Sequence, residues 1–484
     1  MTRTVVDVVV VGAGPVGENV ADRVVRGGLT AAVVERELVG GECSYWACMP
    51  TKALLRDAAA LRAARSLPGA RAAVTGELDA AAVLRRRDGF AAHWEDDGQV
   101  AWLEGAGITL VRGTGRIRDA RTVEVTGADG STTALEARHA VVVATGSGAR
   151  LPEVAGLADA APWTSREAAS APAVPRRLVV VGGGVVGAES ATAYAGLGAR
   201  VTLVARGRLL PAVEPFAAAL VADSLKSAGV ELREGTEPVA VRRDRHGVRV
   251  DLADGTALGA DEILVATGRR PHTDDVGLER LGLTPGDWLR VDDSLRVLGP
   301  DGRPVGDGRV YAAGDVNRRA LLTHQGKYQA RAVGDTIVAR ARGAAVDLSP
   351  WGRHATTADL RAVPQVVFTD PEVATVGHTA ASAAAAGLRV RTVEHDLGSV
   401  AGAALRADGY TGRAGMVVDE DRQVVVGFTA VGPDVGELLH AATIAVAAEV
   451  PLDRLWHAVP AYPTVSEVWL RLLEAYGRDA ASAA

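Results

Sequence analysis

The apolar positions of this chain come in two kinds of run. Residues 5–11 read VVDVVVV, an almost unbroken β-branched stretch that stops at glycines. A strand apolar on both faces belongs inside a parallel sheet covered on both sides. Next comes ENVADRVVRGG, which predicts a helix closed by Gly27 and Gly28. TAAVVERE then predicts a second strand ending in Glu35. The same order returns at 178–204, in LVVVGGGVVGAESATAYAGLGARVTLV. Each copy is followed by an apolar strand that stops at Ala-Thr-Gly: VVVATGSG at 141–148 and ILVATGRRP at 263–271. Strands alternating with helices predict an α/β fold, here with two parallel-sheet modules.

The punctuation between these runs carries chemistry. Gly12, Gly14 and Gly17 form G-x-G-x-x-G between a strand and a helix, with Glu35 at the end of the next strand. Such glycines permit a tight turn and let a pyrophosphate approach the backbone at a helix N-terminus, while the acid accepts from a ribose hydroxyl. Gly182, Gly184 and Gly187 repeat the pattern. Two Rossmann-like dinucleotide-binding modules therefore share one chain. The turns Ala144-Thr145-Gly146 and Ala266-Thr267-Gly268 close them, and Gly314-Asp315 ends a later strand, where its carboxylate suits a polyol hydroxyl. The second module lacks the acid. Its strand ends Val204-Ala205-Arg206, with Arg208 close behind. Arginine pairs with a 2′-phosphate that a carboxylate repels, so this module is expected to take NADPH, with NADH possible.

Bulk properties narrow the class. The 484 residues suggest roughly three domains. The net charge is −6 with both signs interspersed, which argues against a nucleic-acid partner. No apolar run is long enough to span a bilayer. Asp7 interrupts the only early apolar stretch, so no secretion signal is expected and the chain is read as cytoplasmic.

Both cysteines lie in GGECSYWACMPTK, at Cys43 and Cys48. A chain this long needs no disulfide staple. A zinc site normally takes four ligands, and no second Cys or His pair lies nearby. Two close cysteines in so large a chain are more often catalytic or metal-binding than structural. The cysteines follow the acid-ended strand, and a helix is predicted from about Met49 to Arg65. A thiolate near a helix N-terminus is stabilised by the dipole. Lys52 is one of only three lysines, with Lys226 and Lys327, in a chain otherwise rich in arginine.

Taken together, G-G-x-C-x-x-x-x-C-x-P-x-K, the two glycine loops, the two Ala-Thr-Gly turns, Ala313-Gly314-Asp315 and VPQVVFTDPEVATVG at 363–377 resemble the flavoprotein disulfide oxidoreductases. Lipoamide dehydrogenase, glutathione reductase, mercuric reductase and soluble transhydrogenase belong to that family. The resemblance implies FAD on the first module and a nicotinamide nucleotide on the second. It implies an FAD domain over 1–155 and 281–347, an NAD(P) domain over 156–280, and a C-terminal α+β dimerisation domain over 355–484, opening on an FT-x-PE strand. A homodimer acting on a small molecule follows. Cys48 would be the charge-transfer thiol, Cys43 the interchange thiol, and Lys52 would pair with Glu189 near flavin N5. Asp315 would hold the ribityl chain, and a helix starting near Thr323 would face the flavin.

The sequence departs from the family at the C-terminal motif and between the cysteines. An acid–base His and its orienting Glu are the family pattern near the C-terminus, and here the segment begins with Tyr462 and keeps Glu467. His457 is off the motif position. Tyr45 and Trp46 are bulky, and are expected either to pack on FAD or to narrow the substrate mouth. The main reading is an NAD(P)H-dependent reductase of a small disulfide. Because of Tyr462, the alternative is a reductase of quinones, other electrophiles or a second nicotinamide. A non-enzymatic FAD-binding redox sensor is the third reading.

Overall fold

The computed structural model describes residues 2–478. Its contacts divide the chain into two units. The first comprises Met1–Pro50, Asp88–Arg150 and Arg269–Leu360, and the second Thr51–Arg87, Leu151–Gly268 and Arg361–Ala484. The helix Cys48–Arg65 starts in the first and continues in the second.

The first unit is built on a seven-stranded sheet. Thr109–Arg112, Ala31–Glu35, Thr2–Val11 and Thr132–Val143 lie side by side in parallel, with Val310–Ala312 also parallel on Thr132–Val143. Thr122–Thr126 and Thr114–Ile117 extend it as an antiparallel edge. The valine run explains itself here. Val8 and Val10 pack into one cluster, Val9 and Val11 into another, so both faces of the central strand are buried. Helices Pro15–Arg26 and Thr323–Ala341 lie against each other closely enough that a Cβ on Gly334 would meet Arg23 at 2.6 Å.

The second unit holds three sheets. Glu231–Glu234, Arg200–Ala205, Arg177–Val181 and Glu262–Val265 form a parallel sheet, with helix Val185–Gly196 following the glycine loop. Pro238–Asp244, Gly247–Leu252 and Ala257–Ala260 form an antiparallel one. A five-stranded antiparallel sheet, ordered Pro364–Val367, Glu372–Gly377, Val424–Gly432, Arg413–Asp419 and Val390–Asp396, carries the C-terminal region. Two Rossmann-like modules and a C-terminal α+β region are therefore present. One expectation is corrected: FTDPE is not a strand as a whole. Residues 368–371 are the turn between Pro364–Val367 and Glu372–Gly377, where Pro371 has no N–H to give a ladder, and Glu372 opens the second strand. Among the described residues no helix is long and apolar enough to cross a membrane.

Candidate active site

The first glycine loop is forced by the protein's own backbone at its two ends. Gly12 has φ +103°, and a Cβ there would sit 2.4 Å from the Ala144 carbonyl oxygen. A Cβ on Gly17 would lie 1.9 Å from the Gly12 oxygen. Gly14 is different: the nearest atom to its Cβ position is 3.9 Å away, so nothing in the fold demands glycine there. The Glu35 carboxylate accepts from Ala13 N and from Glu37 N, both at 2.8 Å, which holds it at the loop. Thr145, next to Gly12, keeps a buried hydroxyl without a partner. Glu18, just after the loop, has a buried carboxylate oxygen without a partner. Burial pushes its carboxyl up to about 7; the Glu35 charge adds to this and Lys327 opposes it.

The second loop repeats the backbone but not the chemistry. Cβ atoms on Gly182 and Gly187 would meet carbonyl oxygens at 2.3 and 1.8 Å, whereas Gly184 has nothing within 4 Å. Ala205 is buried at its strand end. The two arginines separate. Arg208 Nη2 donates to the Pro211 and Val213 carbonyls, both at 2.8 Å, and so braces its own loop. Arg206 is exposed and makes no side-chain hydrogen bond or ion pair among the described residues. Gly268, at φ +141°, ends the return strand's turn.

These features fit dinucleotides. In both loops the middle glycine faces space that the protein does not fill, in front of a helix N-terminus that attracts phosphate. At the first loop the unpartnered Thr145 hydroxyl adds a polar group that a ligand can satisfy.

The cysteine segment is laid on the first loop. Gly40 N donates to the Ala13 carbonyl at 2.8 Å. A Cβ on Gly41 would lie 2.9 Å from Gly14 Cα, so only glycine lets the short helix Gly41–Tyr45 approach so closely. Cys43 is in that helix, and Cys48 opens the helix Cys48–Arg65. Both are half-buried thiols, not joined in a disulfide. Cys48 Sγ stands 3.5 Å from the hydroxyl of Thr323, which opens helix Thr323–Ala341. The neighbouring Cys48 thiol, then burial, push the Cys43 thiol well up, while Thr323 and Lys327 pull it down. Of the pair, Cys48 therefore holds the helix-start position that favours a thiolate. Tyr45 does not narrow a mouth. It is buried, and its hydroxyl donates to the Val39 carbonyl at 2.9 Å. Trp46 is half-buried with its ring centroid 5.6 Å from that of Tyr45.

Asp315 sits after Gly314, which has φ +82°. Ser147 Oγ donates to its Oδ2 at 2.6 Å, and Arg269 donates in turn to Ser147 Oγ at 2.7 Å. The sequence did not single out Ser147 or Arg269; each sits directly beside an Ala-Thr-Gly turn, which was the available signal.

In the second unit Lys52 Nζ meets Glu189 Oε2 at 2.8 Å. The other Glu189 oxygen accepts from Phe368 N at 2.9 Å, and the ammonium lies 4.9 Å from the Phe368 ring centroid. Both oxygens of this buried carboxylate are thus engaged. Near the C-terminus the motif residues do not meet. Tyr462 is 77 % exposed, whereas Glu467 is 7 % exposed. Glu467 Oε1 accepts from Arg471 at 2.5 Å, and its Oε2 is buried without a partner. His457 is exposed and forms no ion pair with Glu467.

Comparison with known proteins agrees with this geometry. Residues 6–334 match the family described as pyridine nucleotide-disulphide oxidoreductase, and residues 363–472 match its dimerisation domain. A dihydrolipoyl dehydrogenase of Thermus scotoductus is 32% identical over 98% of this chain and 98% of its own. A mercuric reductase of Streptomyces lividans is 31% identical over 97% of this chain and 95% of its own. The crystal structure of LpdA from Mycobacterium tuberculosis superposes with a TM-score of 0.82 at 28% identity, over 98% of this chain and 99% of that one. The Escherichia coli flavoprotein disulfide reductase RclA, at 21% identity, 97% and 99% coverage and a TM-score of 0.82 in its Cu(II) complex, shares the fold. This chain is an oxidoreductase of the pyridine nucleotide-disulphide oxidoreductase family, whose members use FAD and a pyridine nucleotide.

Proposed function

We propose that this enzyme takes electrons from NADPH, with NADH a weaker donor, and delivers them through the Cys43–Cys48 pair to a small disulfide. One observation carries the reading: two half-buried thiols, one at a helix start, lie on the glycine loop fitted to a dinucleotide. FAD, when bound, supplies two-electron transfer between the nicotinamide and the cysteine pair. Gly12, Gly14, Gly17, Glu35, the Ala144–Thr145–Gly146 turn, Gly314 and Asp315 would hold it. Gly182, Gly184, Gly187, Arg206 and Gly268 would hold the nicotinamide nucleotide. Arg208 supports that loop from within.

The chain's residues then divide the work. Cys43 Sγ attacks one sulfur of the acceptor and its proton passes to the leaving sulfur, which breaks the acceptor's S–S bond and releases one thiol. Cys48 Sγ attacks Cys43 Sγ and its proton passes to the departing sulfur, which re-forms the Cys43–Cys48 disulfide and releases the second thiol. The acceptor gains two electrons and two protons, and the dithiol loses the same. Lys52, fixed by Glu189, supplies a positive charge one turn beyond Cys48 on the same helix. Tyr462 and Glu467 would be contributed by a second copy. Tyr462 is 77 % exposed, which leaves its side chain open to a second copy. We divide the chain into an FAD domain at 1–155 and 281–347, an NAD(P) domain at 156–280 and an interface domain at 355–484, forming a cytoplasmic homodimer.

Reductive titration tests the core of this reading. Wild type should need two equivalents of reductant per flavin, with a long-wavelength thiolate-to-flavin band after the first. Cys48→Ser should abolish that band and Cys43→Ser should leave it. If neither substitution changes the titration, the cysteines are not redox partners of the cofactor and the proposal fails.

A further inference from the structure

A buried chain of polar groups ends at the backbone of the Gly314–Asp315 turn. It starts at Asp359, on the short helix Ala358–Arg361, which is 4 % exposed. Asp359 Oδ1 accepts from Gln325 Nε2 and Oδ2 from Gln329 Nε2, both at 2.9 Å. Gln325 and Gln329 are one turn apart on helix Thr323–Ala341 and both are buried. Gln329 Oε1 accepts from Gly314 N and from Asn317 Nδ2, each at 2.8 Å. Asn317 also donates to the Ala312 carbonyl at 3.1 Å, and Ala312 ends the strand that feeds the turn.

The direction of these bonds matters. An amide has a donor end and an acceptor end, and the network decides which points where. An ionised carboxylate can only accept. Asp359 therefore turns the Nε2 end of Gln329 toward itself and leaves its Oε1 end facing Gly314 N–H. Gly314 has φ +82° and ψ −158°, and a Cβ on neighbouring Gly326 would meet Val16 at 2.5 Å and Gly314 Cα at 3.3 Å. Helix and turn are in direct contact, so rotating the Gln329 amide would place two donors against two donors in a closed space. A buried donor left unpaired carries its full desolvation penalty.

We propose that Asp359, acting through the amide of Gln329, is a positioning residue for FAD binding: it fixes the Gly314–Asp315 turn in the conformation that presents Asp315 to the cofactor. This rests on the assignment of Asp315 to FAD made above. Packing alone would not care whether position 359 accepts or donates; the relay does.

The test uses isosteric changes of hydrogen-bond polarity. FAD release from the holoprotein is followed by the recovery of flavin fluorescence on dilution, with circular dichroism to confirm the fold. Gln329→Glu puts two carboxylates together, and FAD release should quicken at least 10-fold. The double variant D359N/Q329E sets the Asn donor against the new carboxylate, leaves acceptors at 329 facing Gly314 N and Asn317, and should return to within 3-fold of wild type. If Q329E is insoluble while the double variant is soluble and retains FAD, the relay is supported equally. A folded Q329E that releases FAD at the wild-type rate, or a double variant no better than Q329E, overturns the proposal. Asp315→Ala serves as the control for the underlying assignment. If it leaves FAD release unchanged, Asp315 does not hold FAD, whatever Asp359 does; if it quickens release while Q329E does not, only the relay fails.

Discussion

The two glycine loops use the same backbone solution and differ at their margins. Their outer glycines are excluded from having a Cβ by nearly equal contacts, 2.4 and 1.9 Å in the first and 2.3 and 1.8 Å in the second. The middle glycines, Gly14 and Gly184, meet nothing closer than 3.9 Å. The fold therefore constrains the outer pair, which closes the turn, and leaves the middle one facing open space. The differences start at the strand ends and in the helix after each loop. Glu35 closes the first strand pair and Ala205 the second. The residue after the third glycine is Glu18 in one loop and the fully buried Ala188 in the other. The next is Asn19, which bonds back along its own helix by donating to the Pro15 carbonyl, against Glu189, which holds Lys52.

The most damaging way to break the symmetry is at an outer glycine. Gly187→Val must displace the Gly182 carbonyl, and the second module should lose roughly 4 kcal/mol or more. The expected result is aggregation or loss of the second module, seen as a lower melting temperature and no reduction by NADPH. The middle glycine separates the two roles. Gly184→Val should fold, with a melting temperature near wild type, yet raise KM for NADPH by about 100-fold by filling the phosphate space, on the order of 3 kcal/mol. The yellow cofactor should stay bound. A Gly184→Val enzyme with unchanged KM would show that the space in front of that helix is not where the nucleotide sits.

This contrast also marks how far the sequence could be read. The strand–loop–helix units were legible because runs such as VVDVVVV and LVVV have one stable environment, a sheet buried on both faces. Lys52 and Glu189 lie far apart in the chain, and only resemblance joined them beforehand. The Asp359–Gln329–Gly314 connection had no such signal. Glutamines one turn apart on a helix are common on surfaces, and only the packing of Gly326 on Gly314 shows that these are inside. Tyr462 and Arg208 illustrate the opposite limit. Sequence supplies a residue type at a position, but whether Arg208 faces a phosphate or its own loop carbonyls is decided by a local turn.

A smaller change sharpens the comparison at the strand ends. Ala205→Glu combined with Arg206→Ala would give the second loop the acid of the first. The ratio of kcat/KM for NADPH over NADH should fall by about 10- to 100-fold, the range of one to two charge-assisted contacts. Arg208→Ala alone should change that ratio by less than about 3-fold, since its guanidinium is occupied by the Pro211 and Val213 carbonyls. Equal effects of the two arginines would mean that Arg208 leaves those carbonyls to bind the nucleotide.

An effect on stability alone is expected at Glu18, which Ala188 replaces in the second loop. Burial raises the Glu18 carboxyl from 4.5 to about 7, so its ionised form is disfavoured in the folded chain. For a carboxyl raised on folding, the linked stability is present below the ordinary value and is lost as pH rises toward the folded one. Between pH 4.5 and 7 wild type should therefore lose stability on account of this group, and above pH 7 the loss should level off. Glu18→Gln keeps the shape and removes the charge. Its stability relative to wild type should be unchanged or slightly lower at pH 4.5 and higher by about 1–2 kcal/mol at pH 8, the full shift being reduced because the side chain is only partly enclosed. Lys327 opposes the shift, so Lys327→Met should enlarge the difference and Glu35→Gln should shrink it. Melting temperatures of wild type and Glu18→Gln, measured in one buffer system at pH 4.5, 6, 7 and 8, check the sign directly. A constant offset between the two proteins across that range would mean that folding does not shift the Glu18 carboxyl.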